Sequence, residues 1–330
     1  SQLATIDALP ALDVHDPQTI RQLVALLPLA KGGIFVAHTL IALALYWLLK
    51  ELLNRPYALV AVAFLALDPY YLALSRVLHI DALTSGFMLL ALISTFTYVS
   101  RGDRRYLLYA GVATGLATLT KSYGAFVAPG ILLILLAAHM RDMLPYEGSE
   151  ERDVRAEHRA LRGARDIALW GAVAGVVFFL LWPAMWVVPI KTARHMVGLS
   201  LKYATDPGDA TASFFRGRVV SDLGPAFYLT NIFFRITPLM LVGSALGVLI
   251  SSWIGRDEAQ EQRLTIVGLL VYAGTYFFLI TLSSKKFDRY TLPLFLAADL
   301  LAALGMVGTV EALLRLTGLQ DQGQAFLRRG

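Results

Sequence analysis

Long apolar runs, each near the length that crosses about 30 Å of hydrocarbon as a helix, recur along the chain between short charged segments. They fall at residues 31–53, 57–74, 80–99, 106–120, 123–140, 167–188, 227–254, 264–282 and 290–314. Backbone in hydrocarbon has no water to bond to, so each run is expected to be a helix that closes its own hydrogen bonds. The pattern predicts an all-α polytopic membrane protein, a transmembrane helix bundle of about nine spans. The fourth and fifth runs are short, and a re-entrant pair is the alternative to two crossings there. Composition agrees: 57% hydrophobic residues, 16% charged residues and a mean hydropathy of +0.60 are too apolar for a soluble domain of 330 residues.

Charge orients the spans. Lys50 and Arg55, Arg101 with Arg104 and Arg105, the Arg-rich loop 141–166, Arg256 and Arg263, and the tail 315–330 fall on one side under strict alternation. The positive-inside rule makes that side cytoplasmic. The bundle then occupies 31–314, with loop 189–226 outside. Residues 1–30 read as part of an external loop, whose beginning and preceding span are expected upstream of Ser1. Loop 141–166 mixes acidic and basic residues at helical spacing and is expected to be a solvated hairpin or helix. The absence of cysteine excludes a disulfide framework and a thiolate metal site. The net charge of +5 suits anionic headgroups, so membrane lipids are expected partners and nucleic acid is not.

The informative charges are those left outside. Arg76, His79 and Asp81 lie between the second and third runs, Lys121 between the fourth and fifth, and Lys285, Lys286, Asp288 and Arg289 between the eighth and ninth. Alternation brings them to one membrane face. A single interfacial cation is explained by snorkelling to water. Several adjacent cations repel one another unless an anion joins them, and ionisable groups at a membrane boundary are functional candidates. An anionic lipid phosphate answers that requirement. His79 and Asp81 are too few to hold a metal alone; a divalent ion is the one cofactor this pair leaves open. Asp299, inside the last run, must face the bundle, where an arginine is a suitable partner. Gly111 with Gly115 and Gly171 with Gly175 are small-residue pairs that let helices approach closely.

Three stretches carry a family resemblance. The run from Leu65 to Ala82, including Asp68-Pro69-Tyr70-Tyr71 and Arg76-Val77-Leu78-His79-Ile80-Asp81, resembles the second outer loop of the protein O-mannosyltransferase family and its bacterial relatives. Gly115-Leu116-Ala117-Thr118-Leu119-Thr120-Lys121 is similar to a second motif of that family. Lys285-Lys286-Phe287-Asp288-Arg289-Tyr290-Thr291-Leu292-Pro293 is similar to a late one. Trp182-Pro183-Ala184-Met185-Trp186 and Gly224-Pro225-Ala226-Phe227-Tyr228 resemble the bacterial branch.

The resemblance implies a GT-C glycosyltransferase, related also to aminoarabinose transferases. Such an enzyme passes a mannose-like sugar from a polyprenyl-phosphate donor, with inversion, to a hydroxyl of a protein, glycan or lipid acceptor outside the cytoplasm. On that reading Lys285, Lys286, Arg289 and Tyr290 hold the donor phosphate, with Arg76 and Lys121 behind them, and His79 faces the site. Asp81 orients the acceptor or a metal ion. The family's general base is an acidic residue of the first outer loop. Asp7, Asp13 and Asp16 do not lie in its acidic motif, so the base is expected upstream of Ser1. Two other classes compete: a secondary transporter, which would gather its charges at mid-membrane within inverted repeats, and a non-catalytic lipid-binding subunit.

Overall fold

Residues 17–77, 79–143, 152–205, 213–220, 223–253 and 260–317 are described in the structure, a computed structural model. In chain order the elements are α1 (Pro17–Leu52), α2 (Arg55–Leu67), α3 (Pro69–Ser75), α4 (Asp81–Arg101), α5 (Arg104–Thr120), α6 (Val127–Met143), α7 (Arg152–Leu181), α8 (Ala184–Val187), α9 (Pro189–Thr205), β1 (Ser213–Phe215), β2 (Arg218–Val220), α10 (Ala226–Arg235), α11 (Pro238–Trp253), α12 (Gln260–Leu282) and α13 (Leu292–Leu316). Two 3₁₀ turns, Ser122–Phe126 and Asp288–Thr291, precede α6 and α13.

Among the described residues, six segments are long and apolar enough to cross a membrane: Leu27–Leu52, Asp81–Arg101, Ser122–Met140, Ala160–Leu181, Gln260–Leu282 and Asp288–Leu316. Two bent helix pairs raise the number to eight. The ninth expected run is α5, whose 17 residues reach only about 25 Å. The N-terminal segment also differs from expectation, because α1 is helical from Pro17 where a loop was expected as far as residue 30. The charged segment 141–166 is helical from Arg152, the start of α7; residues 144–151 lie outside the described residues.

Both bent pairs have local chemical causes. Asp68 ends α2 and caps α3, its Oδ1 accepting from the Tyr71 N–H at 2.6 Å, and Pro69 follows at the first helical position. Proline cannot continue the hydrogen-bond ladder of the preceding helix, and the axis turns by 63°. The run 227–254, expected as one span, is broken by 109° between α10 and α11. There Pro238 opens α11, and the Thr237 hydroxyl accepts from the Met240 N–H at 3.2 Å.

The centre of the bundle is α4, which packs against α1, α5, α6, α12 and α13 and is buried almost throughout. Its Thr and Ser hydroxyls return to their own backbone, as Ser94, Thr95 and Thr97 do to the carbonyls four residues earlier. An all-round buried helix is thereby kept free of unsatisfied hydroxyls. Close approach of α5 to α7 uses Gly111 and Gly115. A Cβ at Gly111 would lie 2.9 Å from the Trp170 carbonyl oxygen, and one at Gly115 2.7 Å from that of Ala174. Gly171 and Gly175 face open space instead, so the second small-residue pair packs against nothing among the described residues.

The expected external loop 189–226 holds a helix and a hairpin. In α9, exposed Ile190, Val197 and Leu201 share one face while Lys191, His195 and Lys202 share another, the pattern of a helix lying in a membrane interface. The antiparallel strands β1 and β2 pair Phe214 with Val219, turning through Arg216 and Gly217 at positive φ.

Candidate functional site

Asp81 is the first residue of α4, fully buried, where the helix dipole favours negative charge. Its partners come from the residues just before it, from the turn after α5 and from the turn before α13. The Lys121 ammonium donates to Oδ1 at 2.6 Å, and the Tyr123 hydroxyl donates to the same oxygen at 3.0 Å. Arg289 Nε lies 3.0 Å from Oδ2 and His79 Nδ1 lies 2.6 Å from it. The Asp81 N–H donates to His79 Nδ1 at 3.4 Å, and Oδ2 itself accepts no hydrogen bond from the described residues. Two cations thus share one carboxylate, and a unit of positive charge is left over.

Local structure fixes these positions. Lys121 sits in extended backbone between α5 and the first 3₁₀ turn, which doubles back so closely that a Cβ on Gly124 would collide with the Ala117 carbonyl. That fold aims Lys121 and Tyr123 at the start of α4. Burial pushes the Lys121 ammonium pKa down, and the Asp81 carboxylate partly opposes the shift. The ammonium also lies 5.3 Å from the ring centroids of Tyr123 and Tyr290, which face each other at 5.0 Å. These cation–π contacts help hold a cation in a partly dry place.

Arg289 is set by the second 3₁₀ turn. The Asp288 carboxylate accepts from the Arg289 N–H at 2.8 Å and from Arg235 of α10 at 2.5 Å. Asn231 donates to the Asp288 carbonyl at 2.9 Å and to Thr291 Oγ1 at 3.1 Å. The Tyr276 hydroxyl donates to the Tyr290 carbonyl. Phe287 lies under the guanidinium at 4.3 Å. Arg289 Nε is ion-paired with Asp81 without a hydrogen bond, the terminal nitrogens make none to the described residues, and the side chain keeps 31% of its exposure.

Of the residues singled out in the sequence, His79, Asp81, Lys121 and Arg289 converge, and Tyr290 contributes its ring. Lys285 and Lys286 stay on the preceding loop, Lys285 5.9 Å from the Phe287 ring and Lys286 donating to the Ser283 carbonyl at 2.7 Å. Arg76 is exposed at the end of α3 and makes no contact with the cluster. Asp7, Asp13 and Asp16 lie outside the described residues. Among the described residues no third His, Asp or Glu joins His79 and Asp81. With both Asp81 oxygens already facing cations, these residues do not form a metal cradle. Asp299 is buried in α13 and has no arginine partner among the described residues.

Tyr123, Phe287, Asn231 and Arg235 were not anticipated. Tyr123 and Phe287 were legible as aromatics one or two residues from a candidate cation. Asn231 and Arg235 were hidden inside an apparently continuous apolar run. A cavity of about 370 Å³ adjoins the cluster through Lys286 and Asp288 and is walled by Phe214, Phe215, Phe227 and Phe234. A second cavity, of about 720 Å³, lies at the opposite membrane face.

Residues 33–149 match the family model described as dolichyl-phosphate-mannose-protein mannosyltransferase, a segment that includes Asp81 and Lys121 and excludes Arg289. No curated protein matches. Among solved structures, the apo oligosaccharyltransferase of Archaeoglobus fulgidus is similar over 94% of this chain, with 17% identity and a TM-score of 0.51. The chain spans 42% of the length of that protein. The fold is therefore a helical, multi-pass membrane architecture similar to that of the archaeal oligosaccharyltransferase.

Proposed function

We propose that this chain carries the donor site of a membrane glycosyltransferase that moves a mannose-like sugar from a polyprenyl phosphate to an acceptor hydroxyl outside the cytoplasm, with inversion. The observation that carries the reading is the Asp81 cluster, in which a buried carboxylate holds Lys121 and Arg289 side by side at a membrane face and leaves net positive charge. As the glycosidic bond breaks, charge accumulates on the departing polyprenyl phosphate. Fixed cations stabilise that charge without having to reorganise. Arg289 offers the phosphate its two terminal nitrogens as a fork while Nε stays on Asp81, and Lys121 offers the N–H donors that Asp81 does not use. Lys285 and Lys286 add longer-range attraction from the loop, and Tyr290 lines the approach. The aromatic cavity beside Lys286 suits the isoprenoid chain next to its phosphate.

Asp81 acts on this reading by positioning: it sets where both cations stand and keeps them close in the empty site. The match to a mannosyltransferase family model over 33–149 supports the sugar class. The transporter alternative is disfavoured because the cluster sits at helix ends on one face, at the start of α4, the end of α5 and the start of α13, rather than at mid-membrane.

The test is transfer of labelled mannose from a polyprenyl phosphate by the full-length protein in proteoliposomes. Single cysteines introduced into this cysteine-free chain at 214 and 165 report which face is labelled by an impermeant thiol reagent. The expected results are consumption of the lipid donor, a product of inverted anomeric configuration, and labelling from outside at 214 alone. Donor left intact by a folded protein, or outside labelling at 165, would count against the reading.

A further inference from the structure

The cavity of about 720 Å³ at the other face has no part in the chemistry above. Its wall includes Tyr98 and Gly102, at the end of α4 opposite to Asp81, about 30 Å away along the helix. Its size is within the range of built ligand pockets. Leu133 and Ile134 of α6 and Val267 of α12 form an apolar wall, and the partial exposure of Leu133 and Val267 shows that this wall opens sideways toward the hydrocarbon. Polar groups converge at the other end. Arg162 of α7, Arg263 of α12 and His139 of α6 line it, and neither arginine has a carboxylate partner among the described residues. His139 Nε2 is buried without a hydrogen-bond partner, 3.8 Å from an Asp166 oxygen. Asp166 itself is engaged: it accepts from the Tyr98 hydroxyl at 2.6 Å and faces Arg104 at 3.3 Å. Among the described residues the site is thus apolar toward the lipid, cationic toward the interface, and short of an anion.

We infer that this cavity binds an anionic phospholipid of the leaflet opposite the Asp81 cluster, the phosphate lying between Arg162 and Arg263 and one acyl chain along α6 and α12. Two guanidiniums from different helices can each fork onto a phosphate, and the lipid would tie α7 to α12 at this face. A free phosphate would leave the apolar wall uncovered, and a zwitterionic lipid brings a cation back among the arginines. The inference does not depend on the transferase reading, since no residue of the Asp81 cluster takes part.

The test uses the full-length protein in nanodiscs of phosphatidylcholine with a minor fraction of phosphatidylglycerol, with retained lipid measured by native mass spectrometry. Phosphatidylglycerol is expected to be retained in preference to phosphatidylcholine. Each arginine is worth about fivefold in that preference, so the Arg162→Gln, Arg263→Gln double variant should lose roughly 25-fold. Val267→Trp fills the apolar wall and should lower retention with both arginines present; it carries the same expectation if the double variant does not fold. Equal retention of the two lipids, or unchanged phosphatidylglycerol retention in Val267→Trp, would overturn the proposal. Soluble glycerol phosphate competing as well as the lipid would overturn the lipid assignment by showing a phosphate site alone.

Discussion

Asp81→Asn is expected to destabilise the empty protein and to reduce sugar transfer on the order of a hundredfold, the scale on which small misplacements at a reacting centre act. The carboxylate is fully buried and faces two cations, while Lys121 and Arg289 keep 22% and 31% of their side-chain exposure. Breaking a buried ion pair by removing one partner costs about 3–5 kcal/mol, and the partial access of both cations to water places this case near the lower end. A bound polyprenyl phosphate supplies the missing negative charge. It should therefore raise the melting temperature of Asp81→Asn by more than it raises that of the wild type. The pH dependence has a definite sign. Burial lowers the Lys121 pKa and Asp81 opposes the shift, so without Asp81 the ammonium loses its proton at lower pH. Donor binding by the variant should then fall off at lower pH than binding by the wild type. Equal melting and turnover in the two proteins would remove Asp81 from the site.

Arg289→Ala has the second large expected effect. Its loss removes charge-assisted contacts worth about 1.5–3 kcal/mol, roughly ten- to a hundredfold in donor affinity. Turnover should fall with it, because the same group meets the ground state and the leaving phosphate. Arg289→Lys should recover only part of this. One ammonium cannot keep the Asp81 contact and also present a two-nitrogen fork. The Lys285→Ala, Lys286→Ala double variant should have a smaller effect, since neither lysine touches Asp81 and Lys286 already donates to the Ser283 carbonyl. If these residues only snorkel to water, all three variants will transfer sugar at wild-type rates in a kinetic comparison.

The helical membrane fold was legible because hydrocarbon imposes a length and a composition on each crossing. Proline at positions 69 and 238 was equally visible. At Asp68-Pro69 a carboxylate cap stands beside the proline at the break. At Thr237-Pro238 the long apolar run hid a 109° turn, because hydropathy registers transfer into lipid and carries no record of direction. Placing His79, Asp81, Lys121 and Arg289 on one face needed only alternation of spans. The pairing itself was not legible. The excess of cations over these loops suggested a patch awaiting an anion, whereas in the structure Asp81, one of the loop residues, is the carboxylate that Lys121 and Arg289 share. That contact depends on the backward fold of the 3₁₀ turn after Lys121 and on the Asn231 and Arg235 contacts to Asp288, both tertiary features. Arg76, a second-rank candidate on sequence grounds like Lys121, is exposed at the end of α3 and stays out of the cluster.

The central claim is that the Asp81-organised cations receive the donor phosphate. Equilibrium binding of a polyprenyl phosphate to the full-length protein in nanodiscs, wild type against Arg289→Ala, tests it most directly. The account predicts at least about a tenfold loss of affinity in a variant that still folds. Unchanged affinity would contradict it and move the phosphate elsewhere on this face, to Arg216 and Arg218 of the hairpin.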